Sequence, residues 1–178
     1  MYANQYHFVE QWNIPGFSPR QVYEVLYNAS ILPQWWSGVY LEAVPMAAYE
    51  RPIVGAKVRA KAKGFLPYTL NFVLEALALE PGTRVQVKAS GDFDGVWTAV
   101  LIRDGAGTRV EIDWRVTVDK PLIRLLSPIL KPLFAWNHCW TTPRGERGLI
   151  NYLTAKHRRR LPVRVPSASC SGMLCLSC

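Results

Sequence analysis

The feature that most limits the fold is a block of strand-length segments, divided by turns, between Val39 and Val118. The segments 39–44, 56–64, 68–79, 83–90, 92–103 and 108–118 read as strands. The breaks carry turn chemistry at Arg51-Pro52, Leu66-Pro67, Glu80-Pro81-Gly82, Gly91 and Asp104-Gly105-Ala106-Gly107. Links this short join only antiparallel neighbours, because a parallel pair needs a long crossover. Alternation is sharpest at 56–63, where Ala56, Val58, Ala60 and Ala62 oppose Lys57, Arg59, Lys61 and Lys63. The four bases form either a surface for an anion or a solvated face that discourages edge pairing.

Two flanking regions complete the architecture. Residues 5–14 alternate, with Tyr6, Phe8, Trp12 and Ile14 on one face and Gln5, His7, Gln11 and Asn13 on the other, which is a half-buried strand. Pro15-Gly16 ends it. Ser18-Pro19 then supplies an N-cap and a first-turn proline for a helix carrying Val22, Tyr23, Val25 and Leu26. A second helical turn follows at 31–36, capped by Asn28 or Ser30, with Pro33 in its first turn. Beyond Val118 the period becomes helical, through Leu122, Leu125, Leu126, Ile129, Leu130 and Leu133. Pro128 and Pro132 are expected to break or kink this stretch, and a longer helix is expected from about Phe134 to His157, bent near Pro143. The fold class is α+β: a curved antiparallel sheet of about seven strands wrapped around a long C-terminal helix, with two short helices after the first strand.

Composition narrows the classes. With 49% hydrophobic residues, seven Trp, eight Tyr and six Phe in 178 residues, the chain is not generally disordered. No run of 18 apolar residues exists for a membrane-spanning helix, and the first twenty residues lack the apolar centre of a signal peptide, so a cytoplasmic protein is expected. The net charge of +8 is unevenly placed: Lys156, Arg158, Arg159, Arg160 and Arg164 carry +5 with no acid among them, which leaves the body at +3. Nucleic-acid binding by the folded part is therefore not expected. Cys170, Cys175 and Cys178 crowd the end of the chain, a reduced-compartment pattern and no disulfide framework. Cys175-Leu176-Ser177-Cys178 matches a prenylation box poorly. Residues 1–157 read as one domain, and 158–178 as a basic, cysteine-bearing, disordered tail.

Four passages, in this order on these elements, resemble the polyketide cyclase/dehydrase and lipid-transport family of the START-like, helix-grip superfamily. They are Trp12-Asn-Ile-Pro15 with Val22-Tyr-Glu-Val-Leu26 and Leu32-Pro-Gln-Trp-Trp36; Gly64-Phe-Leu-Pro-Tyr68; Gly91-Asp-Phe-Asp-Gly95; and Trp136-Asn137-His138 with Gly145-Glu-Arg-Gly-Leu149. The resemblance spans about residues 6–155 and implies an internal hydrophobic cavity. Thr142-Pro143 departs from the family pattern, and the tail lies outside it.

The candidate chemistry is sparse. His7, His138 and His157 are dispersed, no metal-ligand spacing occurs, and no metal or cofactor is expected. Asp92-Phe93-Asp94-Gly95 lacks the later ligands of a calcium loop and fits a bend or bulge. Glu10 falls by parity on the buried face of the first strand, where an apolar surrounding would raise its pKa and suit it to proton transfer, unless it pairs with an arginine or a bulge shifts it. Asn137 and His138, between Trp136 and Trp140, belong to the family-like motif and would orient or enolise a carbonyl, or else be structural. Trp35, Trp36, Tyr68, Trp97 and Trp114 sit on elements that converge on one interior, where they either fill the core or line a site; with Trp136, Asn137 and Trp140 they are the candidate ligand contacts. Gly145 and Gly148 mark either close approach of the last helix to the sheet or room for a ligand.

The leading expectation is binding, with transport as an extension of it, of a hydrophobic small molecule such as a lipid, polyketide or isoprenoid. One alternative is a cyclase or dehydratase using Glu10 or His138. Another is a membrane-surface partner acting through the basic tail, with transient membrane contact.

Overall fold

The computed structural model describes residues 5–64, 69–117 and 121–160, and their side chains except at 5, 121–135, 137–139 and 160. Strand β1 (Gln5–Ile14) precedes helix α1 (Pro19–Leu26), a single 3-10 turn (Ala29–Ile31) and helix α2 (Leu32–Trp35). Then come β2 (Tyr40–Pro45), β3 (Lys57–Lys63), β4 (Thr69–Glu80), β5 (Arg84–Gly91), β6 (Asp94–Asp104) and β7 (Gly107–Thr117), and finally α3 (Pro121–Arg160). The seven strands form one sheet in the order β1-β7-β6-β5-β4-β3-β2, antiparallel throughout. Consecutive strands pair through turns, while β1 crosses to the far edge and pairs with β7 over its full length.

Side-chain parity decides what each strand buries. In β1, Trp12 and Ile14 are buried, Tyr6, Phe8 and Glu10 partly so, and His7, Val9, Gln11 and Asn13 face solvent. In β3, Val58, Ala60 and Ala62 are buried, while Lys57, Arg59 and Lys63 are exposed. The charged side of β3 is thus the solvated face of the sheet.

The short helices are set by their caps. Ser18 Oγ accepts from Gln21 N at 3.4 Å and Gln21 Oε1 accepts from Ser18 N at 2.8 Å, a capping box with Pro19 following it. Val22, Tyr23, Val25 and Leu26 are the buried stripe of α1. Asn28 Oδ1 accepts from Ser30 N at 3.1 Å and starts the 3-10 turn, and Pro33 stands in the first turn of α2.

The C-terminal helix departs from expectation. The helical backbone runs from Pro121 to Arg160 without a break at Pro128, Pro132 or Pro143, and three residues past His157. A mid-helix proline removes one hydrogen bond, and neighbouring groups can take over the freed carbonyls. Carbonyls of the turn before Pro143 also accept from side chains: Trp140 O from Arg144 Nη1 at 2.7 Å, and Thr141 O from Trp36 Nε1 at 3.1 Å. The leucine stripe 122–133, Cys139 and residues 161–178 lie outside the described side chains and residues.

Glycines let α3 press onto α2 and β1. A Cβ at Gly148 would collide with the carbonyl oxygen of Trp35. One at Gly145 would lie 2.7 Å from the Trp36 ring and 2.9 Å from the Trp12 ring. Both therefore mark close approach. Leu149 and Leu153, on the same side of α3, close the core with Val22, Val25, Val85 and Val110.

Candidate ligand cavity

Between the concave face of the sheet and the helices lies a cavity of about 510 Å3. Its wall is largely a run of aromatic rings in mutual contact. Along the sheet, Phe8 meets Trp114 at 5.7 Å between centroids, Trp114 meets Phe93 at 6.1 Å, and Phe93 meets Phe72 at 4.8 Å. Tyr40 continues it at 6.3 Å from Phe72 and 5.4 Å from Trp36, and Trp36 meets the edge of Trp12 at 5.6 Å. Contacts of this kind keep flat side chains in fixed orientations while leaving an apolar surface toward the space they surround.

Phe93 enters this wall because of a bend between β5 and β6. Gly91 has φ +148, and a Cβ there would lie 2.7 Å from Asn71 O and 2.8 Å from Phe72 Cα. The chain can approach β4 so closely only with glycine. Asp92 secures the bend: its N–H donates to Asn71 O at 3.0 Å, and its Oδ2 accepts from Asn71 N at 2.8 Å.

Polar groups in the wall are few. Glu10 Oε2 accepts from Trp12 Nε1 at 3.2 Å, and Glu10 Oε1 accepts from Thr142 Oγ1 at 3.1 Å. The carboxylate is thereby held from both its own strand and α3. Of the three indoles at this corner, Trp12 donates to Glu10, Trp36 donates to Thr141 O, and Trp35 Nε1 is buried with no partner. Burial pushes the Tyr40 hydroxyl up to about 12, so it stays protonated as a donor and acceptor at any physiological pH.

The expected site residues divide into three groups. Glu10, Trp35, Trp36, Trp97 and Trp114 come together in the wall. Trp136 is 48% exposed, and Trp140 carries the Arg144 guanidinium 3.6 Å over its ring. Neither is among the residues that line the cavity. Tyr68 and the side chains of Asn137 and His138 lie outside the described residues. Sequence reasoning missed Tyr40, Phe72 and Phe93. Phe72 carried a parity signal in β4, whereas Phe93 sits in a bend where parity has no meaning.

No known family model matches the chain, and no curated protein matches it. Solved structures do. TTHA0849 from Thermus thermophilus superposes with a TM-score of 0.68 at 17% identity, over 85% of this chain and 98% of that one. A START superfamily protein from Mycobacterium smegmatis gives 0.63 at 15% identity, over 86% and 99%. The di-domain ARO/CYC BexL from the BE-7585A biosynthetic pathway gives 0.66 at 9% identity, over 85% of this chain and 50% of that protein. The order of elements, the single seven-stranded sheet and these superpositions agree: this chain has the START-like helix-grip fold.

Proposed function

We propose that the protein binds a hydrophobic small molecule inside the aromatic-walled cavity. The observation that carries this reading is the space itself, about 510 Å3 bounded mainly by Phe8, Tyr40, Phe72, Phe93, Trp97 and Trp114. A volume in this range suits one drug-sized ligand. Burial of apolar surface supplies affinity at about 25 cal/mol per Å2, and the Tyr40 hydroxyl orients an oxygen of the ligand. Lipids, polyketides and isoprenoids all meet this description. Titration of the protein with anilinonaphthalene sulfonate, followed by displacement with candidate lipids, tests it through the probe's emission and the quenching of the wall tryptophans. Saturable one-to-one binding supports the reading; a probe that stays in water with tryptophan emission unchanged counts against it.

A second reading is favoured by one observation, the placement of Glu10. A carboxylate fixed by Trp12 and Thr142 in a mainly apolar wall is positioned to exchange a proton with a bound carbonyl compound, as a cyclase or dehydratase requires. On this reading Glu10→Gln abolishes turnover of a polyketide-like substrate and retains its binding. Turnover by that variant at the parent rate rejects Glu10 as the proton carrier.

A further inference from the structure

On the outside of the sheet, away from the cavity, apolar and basic side chains are gathered at one end. Leu41, Val44, Met46, Ile53 and Val54 are large apolar residues exposed within a single stretch of chain, with Ile53 at 64% and Val54 at 60%. Ladder register joins them to the basic strand. Val44 stands opposite Arg59, and Arg59 opposite Val73. Met46 N donates to Lys57 O at 2.9 Å, next to the Lys57 and Glu75 pair. Ile53 and Val54 form the tip of a turn closed by Ala56 N to Ile53 O at 2.9 Å and anchored by Gly55 N to Ala76 O at 2.8 Å.

The charge around this tip is positive. Arg51, Lys57, Arg59 and Lys88 are exposed and Lys61 partly so; the acids nearby are Glu42, which stands opposite Lys61, Glu50 and Glu75. Glu75 is engaged with Lys57 at 3.6 Å. Aliphatic residues on a turn with a collar of bases match a surface that is apolar below and anionic above, which is the interface of a bilayer containing acidic lipids. A second copy of the chain is a poor occupant. The β2 edge is blunted by a register shift between Tyr40 and Glu42 and by Pro45 at its end, and two copies of the same basic face repel.

We infer that the β2–β3 turn and the outer face of β3 dock the protein on an anionic lipid bilayer, Ile53 and Val54 entering the acyl boundary while Arg59 and Lys61 meet headgroup phosphates. This surface is separate from the cavity and stands whether or not a ligand occupies it.

Co-sedimentation of the full chain with vesicles of phosphatidylcholine, with and without phosphatidylserine, tests the inference. The full chain should sediment with the phosphatidylserine vesicles and largely lose binding as salt is raised. The paired variants Ile53→Ser with Val54→Ser, and Arg59→Gln with Lys61→Gln, should each lower partitioning about tenfold or more with circular dichroism unchanged. Val9→Ser, which removes the most exposed apolar side chain on the opposite edge strand, should leave binding as it is. Three results overturn the inference: no preference for phosphatidylserine, binding of the Ile53/Val54 variant equal to the parent's with the tail beyond residue 160 carrying all of it, or vesicle-free self-association that the same variant abolishes.

Discussion

The indole N–H of Trp36 donates to the backbone carbonyl of Thr141 at 3.1 Å, joining α2 to α3 across 105 positions of sequence. The acceptor lies in the helical turn ahead of Pro143, and its second lone pair is available to a partner outside the helix. One residue on, Thr142 reaches Glu10 of β1. The proline turn is therefore where sheet, short helix and long helix are fastened, and the cavity wall ends on it.

Close approach at this junction is the first testable consequence. Gly148→Ala places a methyl group on the Trp35 carbonyl, and Gly145→Ala one on the Trp36 and Trp12 rings. Alanine adds about 1 kcal/mol of helix propensity, yet overpacking costs roughly 1–3 kcal/mol and more against rigid backbone. Thermal melts should show Gly148→Ala well below the parent and Gly145→Ala between them. An unchanged melting temperature for Gly148→Ala contradicts the packing described.

Tyr40 links burial to pH. Its hydroxyl titrates at about 12 because desolvation disfavours the phenolate. The unfolded chain releases this proton near 10, so the contribution is intact below pH 10 and is lost as pH rises toward 12. Tyr23 and Tyr49 are also raised by burial, and ultraviolet titration should show a phenolate step near 12 that Tyr40→Phe removes. The same variant should keep its stability and bind an oxygen-bearing ligand several-fold more weakly, since one hydrogen bond contributes about 1 kcal/mol.

The wall and its surroundings predict opposite effects for two aromatic changes. Phe93→Ala removes a ring packed between Phe72 and Trp114 and should weaken probe binding at least tenfold, with a stability loss of about 2 kcal/mol. Trp140→Phe alters a ring stacked under Arg144 outside the wall and should leave probe binding unchanged. Equal effects from the two would misplace the cavity.

At the β1–β7 edge, His7 and Asp113 meet at 2.7 Å. The hydrogen bond with His7, aided by Arg115, holds the Asp113 carboxyl below its ordinary value against a smaller effect of desolvation. A depressed carboxylate stabilises the fold above the ordinary aspartate range and loses that contribution as pH falls through the lowered value. Both partners are well exposed, so the gain is under about 1 kcal/mol. Carbon-detected titration of His7→Ala should find Asp113 moved upward; an unmoved value assigns the shift elsewhere.

Much of this architecture was legible in the residues. Alternation in β1, β3 and β7 and turn signals such as Glu80-Pro81-Gly82 placed the strands to within a residue or two, because one face of an antiparallel sheet must be buried. Ser18-Pro19 and Asn28 located the short helices through their caps. The helical period from Leu122 was legible, but its continuity was not: Pro128 and Pro132 were expected to break or kink the stretch, and a single helix runs from Pro121 to Arg160. Trp136 and Trp140, expected as ligand contacts, are not among the residues that line the cavity. Glu10, Trp35, Trp36, Trp97 and Trp114 were found because strand parity or clustering pointed inward. Phe93 was hidden because only the approach of Gly91 to Asn71 and Phe72, distant in sequence, turns it into the cavity.

Ligand binding in the cavity is read out by native mass spectrometry of the protein after exposure to a cellular lipid extract, followed by denaturation of the same sample. A discrete one-to-one adduct is expected, released on denaturation as a hydrophobic molecule and lost in Phe93→Ala. A bare chain mass under every loading condition, with Phe93→Ala indistinguishable from the parent, would contradict it.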